Sequence, residues 1–165
     1  LLTARPAVSI PAGPDRRRGR EERALIITPH PGEMARLMRS TTAQVQANRV
    51  ETARDFATSH ELYVVLKGAR TLIATPDGSV FVNLTGNPGM ATGGTGDVLT
   101  GISAAWVAQL LDAEVACKAA VHLHGLAGDL AAKAHGQMAM TATDLVAELG
   151  HAVEEIRRPA ADAEA

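Results

Sequence analysis

Apolar residues fall into short, dense runs in the first half of the chain and into helical stripes in the second. Ala24 to Ile27 is a compact apolar run stopped by Thr28-Pro29, which predicts a buried strand ending in a loop. His30-Pro31-Gly32-Glu33 opens a helix, because Pro31 suits the first turn and Glu33 its dipole, and the helix continues to Met38. Thr41 with Gln44 three residues on forms a capping box that predicts one helix to about Ser59. Leu62 to Leu66 reads as a second buried strand. Thr71 to Ala74 and Ser79 to Asn83 flank Thr75-Pro76-Asp77-Gly78, a turn sequence that predicts an antiparallel hairpin. Beyond a glycine-rich segment, Val98, Leu99, Ile102, Trp106, Val107 and Leu110 keep helical spacing. An alanine-rich helix over 113–134 ends at His135-Gly136, and a Thr141/Asp144 capping box starts a last helix with Leu145, Leu149, Val153 and Ile156 on one stripe.

Strands that are apolar throughout, followed by helices, predict an α/β sheet covered by helices on both faces, with about four strands visible. Ligands in such sheets bind beyond the carboxyl ends of the strands, where Pro29 to Glu33, Lys67 to Arg70 and the glycine segment all fall. At 165 residues the chain fits one domain, read as 24–157, between an irregular Arg/Pro-rich connector at 1–23 and a disordered tail at 158–165. A formal charge of -2 and 2% aromatic residues argue against nucleic-acid binding. No apolar run is long enough to span a membrane and Leu1 to Ile10 lacks the order of a signal peptide, so the expected compartment is the cytoplasm. Cys117, the single cysteine, lies in the alanine-rich stretch and reads as a buried hydrophobe.

The candidate chemistry centres on Asn83 to Leu99, N-L-T-G-N-P-G-M-A-T-G-G-T-G-D-V-L. Gly89 and Gly94 have the spacing of a Walker A loop, but Thr95 stands where its lysine belongs. A dinucleotide fingerprint starting at Gly94 and Gly96 fails at Leu99. What remains is an anion hole at a helix start, in which Gly94, Thr95 and Gly96 offer N–H donors beside Asp97. Asp97 is a candidate base for deprotonating a hydroxyl that attacks phosphorus, and its plainer reading is a helix N-cap. Lys67 and Gly68 follow a buried strand, where Lys67 can reach a phosphate, or simply sit in a solvated turn. His30, in a rigid proline-flanked loop, is a candidate ligand contact, while Glu33 needs no role beyond the helix dipole. His122 and His124 are read as structural or surface residues rather than metal ligands, and no metal site is assigned. Gly125 and Gly128 are expected to mark close packing; Asp129 stays open between a site-facing and a solvated role.

Taken together, T-P-H-P-G-E (Thr28 to Glu33), L-K-G-A-R-T (Leu66 to Thr71), N-P-G-M-A-T-G-G-T-G-D-V-L-T-G (Asn87 to Gly101) and H-G-L-A-G-D (His124 to Asp129) resemble the ADP- or ATP-dependent NAD(P)H-hydrate dehydratases of the ribokinase-like superfamily. The resemblance runs from about Leu25 to Leu149. It implies a cofactor-repair lyase, in which a nucleotide phosphorylates the hydroxyl of hydrated NADH or NADPH and phosphate is then eliminated. On that pattern His30 and Asp97 contact the hydrated dinucleotide, with Asp97 as base. Lys67, Gly68, Ala69, Arg70 and Thr71 contact the ADP or ATP, and Gly94, Thr95 and Gly96 its phosphates, with Mg2+ implied by the nucleotide. The family also carries a considerable N-terminal part that supplies central strands; it is absent here, so the chain is expected to be a C-terminal part with uncovered sheet edges, weakly stable and little active alone. A homo-oligomer and an epimerase domain in the full-length protein are compatible with the resemblance. Two other readings stand beside it: a ribokinase-like kinase of the hydroxymethyl-pyrimidine or thiazole type, and an inactive truncated binding module.

Overall fold

The computed structural model describes residues 24–110 and 112–157. The connector expected at 1–23 and the tail expected at 158–165 lie outside the described residues. The elements run β1 (Ile26–Ile27), α1 (Pro31–Leu37), α2 (Thr42–Ala47), α3 (Arg49–His60), β2 (Tyr63–Leu66), β3 (Leu72–Ala74), β4 (Val80–Val82), α4 (Thr95–Leu110), α5 (Ala113–His135) and α6 (Ala142–Arg157), with a 3-10 turn at Pro88–Met90. The sheet order is β1-β2-β3-β4, β1 parallel to β2 and the other two pairs antiparallel.

The predicted hairpin is β3–β4, with Ile73 opposite Phe81. Its turn is closed by Asp77, whose carboxylate accepts from the Thr75 hydroxyl and, at 3.0 Å, from the Ser79 N–H. Alternation along β2 explains why the strand is apolar throughout. Val64 and Leu66 pack with Met34, Val45, Ala53 and Ala57 of α1 to α3, while Val65 packs on the other face with Leu99 of α4 and Cys117 and Val121 of α5. The α/β reading with helices on both faces therefore holds. A third cluster joins α5 to α6, where the predicted stripe of Leu145, Leu149, Val153 and Ile156 meets Leu123 and Ala127. Burial pushes the Cys117 thiol up to about 12, as befits a core residue rather than a nucleophile.

One element differs from expectation. The helix predicted from Thr41 to about Ser59 is two helices, because Asn48 leaves the helical region at φ -135°, ψ 48°. Asn competes for local hydrogen bonds better than most residues and tolerates such a break. The Thr41/Gln44 capping box is present and starts only the first of the two helices. The break restarts the chain at Arg49, the first residue of α3.

Candidate functional site

Three loops meet beyond the carboxyl ends of β1 and β2. The first is the start of α1, where His30 is the N-cap: its Nδ1 accepts the N–H of Gly32 at 3.0 Å and of Glu33 at 3.2 Å. Accepting at Nδ1 leaves the neutral ring with its proton on Nε2, which lies 3.4 Å from Glu33 Oε1. Glu33 returns the bond, Oε2 accepting the His30 backbone N–H at 2.7 Å. That same oxygen lies 3.6 Å from Lys67 Nζ. The His30 backbone N–H bond first, and then the Lys67 ammonium, hold the Glu33 carboxyl below its usual range against the desolvation that raises it. Glu33 therefore does more than favour the helix dipole.

The second loop leaves β2 at Lys67, whose N–H donates to the Pro29 carbonyl at 2.9 Å and so docks the loop on the end of β1. Gly68 takes φ +134°, and Arg70 takes φ +58° despite its side chain. Thr71 caps the loop from within, its hydroxyl donating to the Gly68 carbonyl at 3.1 Å. Ala69 and Arg70 are exposed.

The third loop is the glycine segment. Gly94 turns the chain at φ +91°, and its carbonyl accepts the N–H of Asp97 at 3.0 Å and of Val98 at 3.1 Å. The helix starts at Thr95, so Thr95 and Gly96 keep first-turn N–H groups without intrahelical partners. A Cβ on Gly96 would lie 3.1 Å from Lys67 Nζ, which brings the second and third loops together. Thr28 and Thr100 hydroxyls, 3.4 Å apart, join the first loop to the third.

Asp97 is not the cap that its plainer reading proposed. It stands third in α4, exposed, and no hydrogen bond to its carboxylate occurs among the described residues. The Thr95 side chain is buried and its hydroxyl bonds the carbonyls of Met90 at 2.8 Å and Thr92 at 3.0 Å, so of its donors only the N–H, the group the sequence reading invoked, is left.

A family model for NAD(P)H-hydrate dehydratases matches residues 14–150. The chain belongs to that family. Among dehydratase relatives, the bifunctional NAD(P)H-hydrate repair enzyme of Moorella thermoacetica is 55% identical over 122 residues, which cover 74% of this chain and 23% of that protein. The ADP-dependent (S)-NAD(P)H-hydrate dehydratase of Bacillus subtilis is 37% identical over 147 residues, covering 88% of this chain and 53% of its own length. The crystal structure of the ADP/ATP-dependent dehydratase from Bacillus subtilis, co-crystallised with ATP/Mg2+ and soaked with CoA, matches with a TM-score of 0.80 at 35% identity. That match covers 86% of this chain and 52% of the Bacillus chain. The chain thus spans about half the length of the Bacillus dehydratase and about a quarter of the bifunctional Moorella enzyme.

Within this candidate site, Glu33, His124, Asp129 and Arg49 have roles that sequence reasoning missed or left open. Besides Glu33, His124 lies under the glycine turn and bonds the Thr95 carbonyl through Nε2 at 2.8 Å. Burial, and then the charge of nearby Lys67, hold it below its ordinary pKa despite that bond. Asp129 braces the front of the glycine segment, accepting from Gly86 N–H at 2.8 Å and Asn87 Nδ2 at 3.0 Å. Gly125 and Gly128 are where the segment presses on α5: a Cβ on the former would lie 2.1 Å from Thr85 Oγ1, on the latter 2.4 Å from Met90 Sδ. Arg49, the fourth, binds the second loop from behind.

Magnesium bound by the protein itself would need several oxygen ligands. No group of three or more His, Cys, Asp or Glu side chains among the described residues can hold a metal ion. The described residues do not form a protein cage for Mg2+. No helix is long and apolar enough to cross a membrane among the described residues.

Proposed function

We propose that this chain carries the dehydratase step of nicotinamide cofactor repair, returning hydrated NADH or NADPH to the reduced cofactor at the expense of ADP or ATP. The observation that carries the reading is the chain of contacts from His30 through Glu33 and Lys67 to Gly96, with Asp97 the next residue. It sets a rigid polar ring, a cation, a set of free N–H groups and an unpaired carboxylate along one edge of the sheet.

In this reading the nucleotide lies along Lys67 to Thr71, with its phosphates against Lys67 and the N–H groups of Gly94, Thr95 and Gly96. Asp97 takes the proton of the ring hydroxyl as that oxygen attacks the terminal phosphorus, and the nucleotide leaves one phosphate shorter. His30 orients the hydrated ring. Loss of phosphate together with a proton from the neighbouring ring carbon then restores the double bond. Fixed N–H donors and Lys67 offset the charge that builds on the transferring phosphoryl group. Because the Bacillus relative was crystallised with ATP/Mg2+, we assign magnesium to the nucleotide rather than to the protein. The bifunctional name of the Moorella relative supports an epimerase domain elsewhere in the full-length protein, and a cytoplasmic location fits a substrate that is itself a soluble cofactor.

The test is incubation of the full-length protein with hydrated NADH and either ADP or ATP, following the return of reduced-nicotinamide absorbance. Recovery with one of the two nucleotides is expected. A phosphorylated product that accumulates without recovery would replace the dehydratase by a simple kinase.

A further inference from the structure

Arg49 contacts the loop from Lys67 to Arg70 more densely than any other side chain described here. From the first turn of α3 its guanidinium lies against four carbonyls of one segment: Nη1 donates to Ala69 and Nη2 to Leu66 at 3.2 Å, while the carbonyls of Lys67 and Arg70, each 3.4 Å from Nη2, share its two hydrogens. Its partners are carbonyls and not carboxylates, and its Nε is buried without a partner among the described residues. The contact is close, since a Cβ on Gly68 would lie 3.2 Å from Arg49 Nη2. A surface arginine placed for solubility or for one ion pair would not be spent in this way.

In a planar trans peptide the carbonyl of one residue and the N–H of the next point in opposite directions. Drawing the carbonyls of Lys67 and Ala69 onto one guanidinium therefore turns the N–H groups of Gly68 and Arg70 the other way. The N–H groups of Gly68 and Arg70 donate to no backbone carbonyl in the loop and turn bonds of the described residues, whereas that of Thr71 closes the Ala69–Arg70 turn toward the Gly68 carbonyl. The Leu66 peptide serves as the control: its carbonyl also faces Arg49, and the N–H on its far side, that of Lys67, reaches the Pro29 carbonyl on the site edge. Positive φ at Gly68 and Arg70 gives the segment the alternating curvature of a backbone anion nest.

We infer that Arg49 is a positioning residue that holds the Lys67 to Thr71 loop with the N–H groups of Gly68 and Arg70 aimed outward as a ready-made cradle for nucleotide phosphate. The inference rests on the nucleotide reading above and adds to it the device that shapes the loop before any nucleotide arrives.

ADP binding, hydrated NADH binding, unfolding and phosphate titration on the full-length protein and its Arg49→Gln, Arg49→Lys and Gly68→Ala variants test it. Arg49→Gln is expected to weaken ADP binding tenfold or more, leave hydrated NADH binding within twofold, and preserve cooperative unfolding. Arg49→Lys should recover part of the loss, because an ammonium reaches fewer of the four carbonyls. Gly68→Ala, which strains the loop at φ +134° and presses a methyl to 3.2 Å from Arg49 Nη2, should likewise weaken ADP binding even if Arg49→Gln folds poorly. Inorganic phosphate titrated against the wild-type protein should shift the amide resonances of Gly68 and Arg70, and this response should vanish in Arg49→Gln. ADP affinity within twofold of wild type in both Arg49→Gln and Gly68→Ala overturns the inference and leaves the dehydratase reading standing. Phosphate-dependent amide shifts in a protein that restores no NADH support the cradle and overturn the dehydratase reading instead.

Discussion

The loop at Lys67–Thr71 and the turn at Gly93–Asp97 both carry glycine and both face the same edge, yet they are restrained from different sides. The first is held from behind by Arg49, through carbonyls of four consecutive or near-consecutive residues, with Gly68 against the guanidinium. The second is held from below, by His124 on the Thr95 carbonyl and by Thr95 on the carbonyls of Met90 and Thr92. Its upper side is open: a Cβ on Gly93 would meet nothing within 4 Å, and Asp97 is exposed. A loop that must match a fixed phosphate geometry gains from being shaped beforehand, whereas a carboxylate that takes a proton needs room for its substrate.

The sharpest way to break this contrast is to remove the open carboxylate. Asp97→Asn should lower turnover by about 10²–10⁴-fold, the usual contribution of a general base. Because Asp97 is exposed and unpaired, the same change should move folding stability by no more than about 0.5 kcal/mol. Recovery of reduced nicotinamide and a urea titration measure the two. A variant that unfolds early would show Asp97 to be structural after all.

A smaller effect tests the floor beneath the turn. Gly125→Ala places a methyl 2.1 Å from Thr85 Oγ1 and 2.8 Å from the Thr85 backbone carbon, so main chain must move. Overpacking of that kind costs about 1–3 kcal/mol, more than the roughly 1 kcal/mol that alanine gains over glycine in a helix. The three atoms nearest the added methyl of Gly128→Ala all belong to the Met90 side chain, which can swing aside. The helix gain then offsets the crowding, and urea denaturation should place Gly128→Ala within about 1 kcal/mol of wild type, with Gly125→Ala clearly below both.

How much of this was legible in the sequence follows from what each feature depends on. The strands and the last three helices were readable because apolar runs, a Pro-Asp-Gly turn and the Thr141/Asp144 box are local signals. The close packing expected at Gly125 and Gly128 is present, since glycine inside a helix has few other causes. The break at Asn48 was not legible: a capping box fixes where a helix starts and says nothing of where it stops. Arg49 was invisible for a related reason, because its partners are backbone carbonyls that any residue carries. The placing of Asp97 third in the helix rather than at its cap turns on Gly94 at φ +91°, a dihedral that the order of residues does not print.

The smallest predicted effect concerns Glu33, which links the first loop to Lys67 and belongs to neither side of the contrast. Its carboxyl is held below the usual value of 4.5, first by the His30 N–H and then by Lys67. A depressed folded-state pKa stabilises the native state above the unfolded value, and that contribution is lost as pH falls through the lower folded value. Stability should therefore drop below about pH 4.5 in the wild type and drop less in Glu33→Gln, which has no carboxyl there to protonate. With the Glu33 side chain 44% exposed, solvent screening keeps the difference within about 1 kcal/mol. Activity separates the two loops further. If Glu33 holds Lys67 for the nucleotide, Glu33→Gln should raise the KM for ADP or ATP; if it chiefly fixes His30, the KM for hydrated NADH should rise instead. Equal small rises in both are expected, because one oxygen, Oε2, serves the His30 N–H at 2.7 Å and Lys67 Nζ at 3.6 Å. A KM change confined to one ligand would show that the link between the loops is only geometric.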